Sequence, residues 1–119
     1  MRDMDVVRKM VLALSTAEVP LGEVEGVSAS DFILHACLLM EAELAIGTKT
    51  SSSSRPGFPN AVVLHRLTWA GYDFADQIRD DTLWQKAKEH VIQPAGSFAF
   101  GILGEFLKAE IRKRIPGLG

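Results

Sequence analysis

The spacing of apolar residues predicts two helices in the first third of the chain. Asp3 precedes a stripe that repeats every three or four residues, and its carboxylate suits the N-cap of a first helix. A second helix is predicted to begin at Ser28 or Ser30 and to continue to about Glu43. The stripe of the first helix consists of Met4, Val7, Val11 and Leu14.

A β-hairpin is predicted after the second helix. Residues 44–46 read as a short strand and residues 61–67 as its partner, because β-branched and apolar residues are concentrated there. Residues 47–60 between them contain four consecutive serines followed by Arg-Pro-Gly, which is the composition of a loop. Residues 15–27, before the second helix, are broken by proline and glycine, with a short alternating piece between two glycines.

Residues 69–92 have helical spacing but carry two apolar stripes. Phe74 and Ile78 define the first stripe, and Trp84 begins the second. Each residue advances by ~100° around a helix, so in an unbroken helix Trp84 would point along an acidic face. Since residues 80–82 (Asp-Asp-Thr) are good capping residues, a break or sharp kink is predicted there. A final helix follows and carries Phe98, Ile102, Leu103, Phe106, Leu107 and Ile111.

The junction between the hairpin and the third helical region suggests the architecture. The run ending at Leu67 leads directly into a helix, and Thr68 is placed to cap its first turn. A strand that enters a capped amphipathic helix follows the wing in many winged-helix proteins. We therefore predict an α+β, winged-helix-like small domain with a β-hairpin wing and an additional C-terminal helix. Residues 1–93 would form the core, and residues 94–119 a helix that packs on that core or on a neighbouring subunit.

Composition sets limits on the kind of protein. A chain of 119 residues with 47% hydrophobic residues is sufficient for one domain with a single core. The formal net charge of −2 gives no overall field that attracts nucleic acid or anionic lipid. The lone Cys37 excludes an internal disulfide and fits a reducing compartment. The chain starts with acidic residues where a signal peptide needs an apolar run, so a cytoplasmic protein without a membrane segment is expected.

Several motifs together resemble a known family. The pieces from Leu67 to Phe74 and from Ile78 to Trp84 are the most specific. The family is an uncharacterised domain of unknown function found in small bacterial and phage proteins and described as winged-helix-like. The resemblance implies the same fold, and it brings no established activity, cofactor or catalytic residue. The other matching pieces are Arg2-Asp3-Met4-Asp5, Arg8-Lys9, Val24-Glu25-Gly26, His35 with Leu38-Leu39, and Glu41-Ala42.

The chain departs from the pattern of that family at two positions. Glu43 stands where the family tends to have glycine, a residue suited to the left-handed turn that ends a helix. Cys37 stands at a position that is usually polar or basic in the family. Both departures weaken a function in nucleic-acid binding.

DNA binding is the function that a winged helix suggests by analogy. In that fold the helix before the hairpin enters the major groove and presents Arg, Lys, Asn or Gln to base edges. Residues 31–43 contain none of these four residue types. Candidate phosphate contacts are the nearby cations Lys49, Arg55 and Arg66. A sequence-specific DNA-binding transcriptional regulator is therefore the alternative interpretation.

Protein contact is the favoured interpretation. The inward face of the second helix is predicted to contain Phe32, Ala36, Leu39 and Ala42, which leaves an apolar and acidic outer face. Such a face needs a cover, supplied by the terminal helix of this chain or by a partner, including a second copy in a homodimer. The candidate interface residues are Leu34, Cys37, Leu38, Phe98, Phe106 and Leu107.

An enzymatic function is not expected. Asp73, Asp76 and Asp80 share one helix face, and paired carboxylates can bind a metal or transfer protons, but a solvated acidic face is the ordinary explanation. The three histidines have no metal-ligand spacing, and His35 is interpreted as a hydrogen-bonded structural residue. No catalytic, cofactor-binding or metal-binding residue is therefore assigned. The sequence predicts a non-enzymatic protein-interaction or regulatory module.

Overall fold

The structure, a computed structural model, describes residues 2–51, 59–92 and 100–114. Within these residues the fold is α+β, as predicted, with five α-helices, a π-helical turn and one antiparallel hairpin. This order of elements is compatible with a small winged-helix-like domain that has an additional C-terminal helix. The elements are α1 (Met4–Ser15), α2 (Ala29–Glu41), β1 (Ala45–Ser51), β2 (Pro59–Leu67), α3 (Trp69–Ile78), α4 (Asp81–Ala87), the π-helical turn (Lys88–Ile92) and α5 (Phe100–Arg114).

The chain divides by its internal contacts into two compact units, Met1–Ala75 and Asp76–Gly119. The first unit contains α1, α2, the hairpin and most of α3. The second contains the end of α3, α4, the π-helical turn and α5. The predicted division after residue 93 falls within residues 93–99, which lie outside the described residues. None of the helices in the described ranges combines the length and apolar character needed to cross a bilayer.

Helix α1 begins where the sequence predicts. Asp3 Oδ1 accepts hydrogen bonds from the N–H groups of Asp5 at 2.9 Å and Val6 at 3.4 Å. The predicted stripe is buried, and α1 packs against α2 and β2. Each large apolar side chain that leaves water there contributes roughly 1.5–3 kcal/mol. The buried residues of α1 are Met4, Val7, Met10, Val11 and Leu14.

His35 connects α1 to α2 through its imidazole ring. The ring is fully buried, and its Nε2 accepts a hydrogen bond from the Asp3 N–H at 2.8 Å. Because a backbone N–H can only donate, Nε2 carries no proton in this bond. Nδ1 therefore carries the proton and donates to the Asp31 carbonyl oxygen at 2.7 Å. The predicted structural role of His35 is confirmed.

Helix α2 is closed by a side-chain cap at its start and a backbone motif at its end. Ser28 Oγ accepts from the Asp31 N–H at 3.2 Å, which decides between the two predicted starting serines. At the other end Leu44 N–H donates to the Leu39 carbonyl at 2.9 Å and Glu43 N–H donates to the Met40 carbonyl at 3.0 Å. This is a Schellman motif. Glu43 adopts a φ of 60°, the left-handed conformation that glycine tolerates best.

The inward face of α2 differs from the prediction at one position. Phe32, Ala36 and Leu39 are buried as predicted. Ala42 is exposed, because α2 ends at Glu41 and Ala42 is the C-cap, outside the helical register. His35 takes the fourth inward position.

The hairpin is longer than the sequence predicts. Residues 47–51 and 59–60 belong to the strands, so the predicted loop over residues 47–60 is wrong at both ends. Backbone pairing with residues 59–64 holds these Gly, Thr and Ser positions in a strand despite their modest propensity. The register runs from Ala45 opposite Leu67 to Ser51 opposite Pro59, with irregularities after Ile46 and after Thr50.

Helix α3 starts against the turn that ends α2. Thr68 N–H donates to the Leu44 carbonyl at 2.9 Å, and Thr68 Oγ1 donates to the Glu43 carbonyl at 2.7 Å. The same hydroxyl accepts from the Gly71 N–H at 3.1 Å, which confirms the predicted cap. A Cβ on Gly71 would lie 2.0 Å from the Leu44 carbonyl oxygen, so the backbones can approach this closely only at glycine.

The predicted break in residues 80–82 is confirmed. Helix α3 ends at Ile78, and Asp80 Oδ1 accepts from the Leu83 N–H at 3.0 Å to cap α4. The break allows both stripes to be buried, since Ile78 is 0% and Trp84 1% exposed.

Helices α4 and α5 pack together within the second unit. Lys86 Nζ lies 3.4 Å from Glu110 Oε2, and Lys113 Nζ lies 3.3 Å from Glu110 Oε1. Desolvation raises the pKa of Glu110, but the two ammonium groups lower it by more, so this pKa lies below its ordinary value.

Glu43→Gly should stabilise the protein. Relief of the left-handed cost, roughly 1–2 kcal/mol, exceeds the entropy that glycine loses on folding, roughly 0.5–1 kcal/mol. We expect the free energy of unfolding, measured by urea titration, to rise by about 0.5–1 kcal/mol. Glu41→Gly removes the same charge from the last helical residue of α2 and should lower it by roughly 0.5–1 kcal/mol. Equal changes in the free energy of unfolding for the two substitutions would contradict the left-handed conformation of Glu43.

His35→Leu should destabilise the protein although leucine is apolar and of similar size. It leaves the Asp3 N–H without its acceptor and removes the donor to Asp31, which lowers the free energy of unfolding by roughly 1–3 kcal/mol. The matched control is His65→Leu, since His65 is exposed and pairs with Thr48 Oγ1 on the hairpin. We expect the control to stay within about 0.5 kcal/mol of the parent. Similar losses of unfolding free energy in both variants would show that the two hydrogen bonds of His35 contribute no more to stability than the exposed bond of His65.

Candidate functional site

The predicted interface residues of α2 lie on one continuous face. Leu34, Cys37 and Leu38 are each half-buried, and exposed Asp31 and Glu41 stand before and after them. These positions are three or four residues apart, so they follow one side of the helix. We call these five residues the α2 outer face. It is apolar in the middle and acidic at both ends.

The α2 outer face belongs to a long acidic part of the chain. Residues 10–48 contain six carboxylates and no lysine or arginine. We call this part the acidic stretch. All six carboxylate side chains are exposed, so their charge acts on the surface. They are Glu18, Glu23, Glu25, Asp31, Glu41 and Glu43.

The candidate phosphate contacts are not gathered into one cluster by the described residues. Lys49 and Arg66 are exposed on the hairpin, and Arg66 donates to the Leu67 carbonyl at 3.0 Å. Arg66 is opposite Ile46, which is three residues from Lys49 along β1, a distance of about 10 Å. Arg55 lies outside the described residues.

The three aspartates of the acidic helix face, Asp73, Asp76 and Asp80, have different surroundings in the structure. Asp73 and Asp76 are exposed on α3, and Asp76 lies 3.5 Å from Arg79. Asp80 caps α4. Across the described residues, no group of three or more His, Cys, Asp or Glu side chains is arranged to hold a metal ion.

The candidate residues of the terminal helix differ in exposure. Leu107 is fully buried and Phe106 is half-buried, with its ring centroid 6.1 Å from that of His90. Phe98 lies outside the described residues. Helix α5 packs against α4 and the π-helical turn, and its predicted packing over the α2 outer face stays a prediction.

Two surface features of the first unit were not predicted from the sequence. Trp69 is 86% exposed and Tyr72, one turn later on α3, is 42% exposed. The signal in the sequence was that Trp69 and Tyr72 are three residues apart, on a side of the helix other than that of the buried Phe74.

The second missed feature is a groove of about 240 Å³ between the start of α2 and β2. It depends on contacts between distant parts of the chain, so no local sequence pattern indicates it. Its lining consists of Gly22, Glu23, Val27, Ala29, Phe32, Ile33, Asn60, Ala61 and Val62.

Comparison with known proteins identifies the family of the chain. No curated protein and no solved structure matches it. One family model, described as "Hypothetical protein (DUF2513)", matches residues 1–97. That match covers α1, α2, the hairpin, α3 and α4. The chain therefore belongs to the DUF2513 family.

Proposed function

We propose that this chain is a non-enzymatic protein-interaction module on a winged-helix-like scaffold. The observation that supports it is the α2 outer face. Its half-buried leucines are flanked by carboxylates, and the acidic stretch around them contains no lysine or arginine. Apolar surface with charge of one sign suits a protein partner of the opposite sign.

The order of elements supports the winged-helix-like scaffold. Helix α1 is followed by a short β-bridge at Leu21, then α2, the hairpin and α3. Residues 16–28 contain no helix, so the first helix of a helix-turn-helix is missing and α2 stands alone before the hairpin. The helix that would enter the major groove is therefore α2.

The charges of α2 argue against its insertion into the major groove of DNA. A duplex presents a dense row of phosphates, and affinity for it comes mainly from cations on the protein. Asp31 and Glu41 on the α2 outer face would instead repel phosphate, and the helix offers no Arg, Lys, Asn or Gln to read a base edge.

The partner expected from these charges is a protein segment with apolar and basic residues. A second copy of the chain meets this description, since α5 exposes Lys108, Arg112 and Lys113. Self-association and binding of another protein are therefore both forms of the proposed function.

Selection from a random displayed-peptide library tests the proposal. We expect enriched peptides to carry Lys or Arg beside apolar residues, and sedimentation velocity to reveal any self-association. Leu38→Glu should weaken the binding of these peptides, or self-association, at least about tenfold, which is about 1.4 kcal/mol. Thr50→Glu adds the same charge at an exposed hairpin position and should leave both unchanged. Circular dichroism checks that both variants remain folded.

DNA binding is tested on the same protein. Genomic selection followed by a mobility-shift assay at physiological salt should yield no enriched site. A sequence-enriched duplex bound below micromolar concentration would overturn the proposal in favour of a DNA-binding regulator. Absence of both peptide binding and self-association would also overturn it.

A further inference from the structure

The start of α3 presents two aromatic side chains to the solvent. Trp69 is 86% exposed and Tyr72 is 42% exposed. Aromatic side chains stabilise a fold when they are buried, and they are enriched where proteins bind one another. Among the described residues, no ring and no cation contacts the indole of Trp69. The indole therefore contributes little to the fold and is open to a ligand.

A carboxylate lies beside this aromatic pair. Tyr72 and Asp73 follow Trp69 by three and four residues, which places their Cβ atoms about 5–6 Å from its own on the surface of α3. Asp73 is exposed, and within the described ranges its carboxylate makes no ion pair or side-chain hydrogen bond. The next carboxylate along α3, Asp76, already lies 3.5 Å from Arg79. We call Trp69, Tyr72 and Asp73 the α3 aromatic face.

The acidic end of α2 adjoins the α3 aromatic face. Thr68, the residue before Trp69, donates its hydroxyl to the Glu43 carbonyl at 2.7 Å. Glu43 is exposed and is the last carboxylate of the acidic stretch. The cation nearest to Trp69 in the sequence is Arg66, and its guanidinium donates to the Leu67 carbonyl at 3.0 Å. Carboxylates in these surroundings favour a cationic ligand and repel a phosphate.

Arginine fits this arrangement better than lysine does. A guanidinium is planar, so it can stack on the indole of Trp69 while its N–H groups donate to the Asp73 carboxylate. A lysine ammonium is a compact and strongly hydrated charge, which stacks less well. Single-stranded nucleic acid also stacks on exposed aromatic rings, but it needs cations for its backbone, and Asp73 has the opposite charge.

We infer that the α3 aromatic face binds an arginine side chain of the protein partner, stacked on Trp69 and paired with Asp73. The methylene groups of this arginine lie against Tyr72. Because α3 begins at the end of α2, one extended segment can reach both the α3 aromatic face and the α2 outer face. The inference rests on the proposed function and names the residue that anchors the basic partner.

Peptide selection on two forms of the full chain tests the inference. Nonapeptides from a random displayed library are selected for binding to the parent and for rejection by Trp69→Leu, which keeps an exposed apolar side chain but removes the ring. We expect these peptides to be enriched in arginine and to bind Trp69→Leu at least about tenfold more weakly. Val19→Ala removes another exposed apolar side chain of the first unit and should leave the affinity unchanged.

Replacement of the peptide arginine separates shape from charge. Citrulline is planar and uncharged, so it should weaken binding at least about fivefold. Asp73→Asn should weaken binding of the arginine peptide about two- to fivefold, as expected for an exposed ion pair, and should not affect the citrulline peptide. Glu105→Gln removes the same charge from an exposed position on α5 and should have no effect on either peptide.

The indole N–H signals in NMR spectra locate the bound peptide. The chain has two tryptophans, and the signal that is missing in Trp69→Leu belongs to Trp69. We expect this signal to shift when the arginine peptide is added. The signal of Trp84, which is 1% exposed, is the internal control and should stay in place.

The outcomes separate this inference from the proposed function. Peptides that bind less well to Leu38→Glu but equally well to Trp69→Leu, with no shift of the Trp69 signal, would overturn the arginine site and leave the proposed function standing. Equal binding of the arginine and citrulline peptides would also overturn the arginine site. A shift of the Trp69 signal with single-stranded oligothymidine at physiological salt would overturn it in favour of nucleic-acid stacking. Absence of both peptide binding and self-association would overturn both proposals.

Discussion

The first unit depends on the close contact between the turn that ends α2 and the turn that begins α3. Thr68 bonds the carbonyls of Glu43 and Leu44, while its hydroxyl also caps α3. Gly71 allows this approach because it has no Cβ. Both turns lie at the open end of the hairpin, where Ala45 pairs with Leu67, so one small set of hydrogen bonds fixes where β1 begins and where β2 ends. A hairpin held in this way can form a long pairing although four of the seven residues of β1 are glycine, threonine or serine.

The packing of α2 also determines which surfaces of the first unit face the solvent. Because Phe32, Ala36 and Leu39 pack inward, Leu34 and Leu38 lie on the outer face of α2. The imidazole of His35 bonds α2 to the start of α1. The chain before α2 pairs with β2 at one bridge, between Leu21 and Leu64, and then turns away from the strand. The groove lies between this segment, β2 and the start of α2. The position of α2 therefore determines both the α2 outer face and the groove, and of these two surfaces the α2 outer face lies wholly within the acidic stretch. The proposed preference for basic protein segments over phosphate rests on the same placement of charge.

Local signals in the sequence were sufficient for caps and breaks. Asp3, Thr68 and Asp80 were identified as N-caps or as part of a break because capping chemistry depends on residues within one turn. The length of β1 was missed, since strand pairing is decided by the partner and overrides a serine-rich composition. The inward and outer faces of α2 followed from helical spacing, apart from Ala42, which was predicted to face inward and lies past the helix end. The groove could not be read from the sequence, because it is formed by three segments that meet only when the bridge at Leu21 is in place.

The two tryptophans have opposite surroundings, and each belongs to a different unit. Trp69 of the first unit is almost entirely hydrated, whereas Trp84 of the second is enclosed. Indole emission shifts to shorter wavelength when water is excluded, and small quenchers reach a hydrated ring far more readily than an enclosed one. The intrinsic fluorescence of this chain is therefore a sum of two separable signals, a quenchable one from the surface of α3 and a protected one from the core around α4. Loosening of the second unit would be visible as a change in the protected signal without any added label.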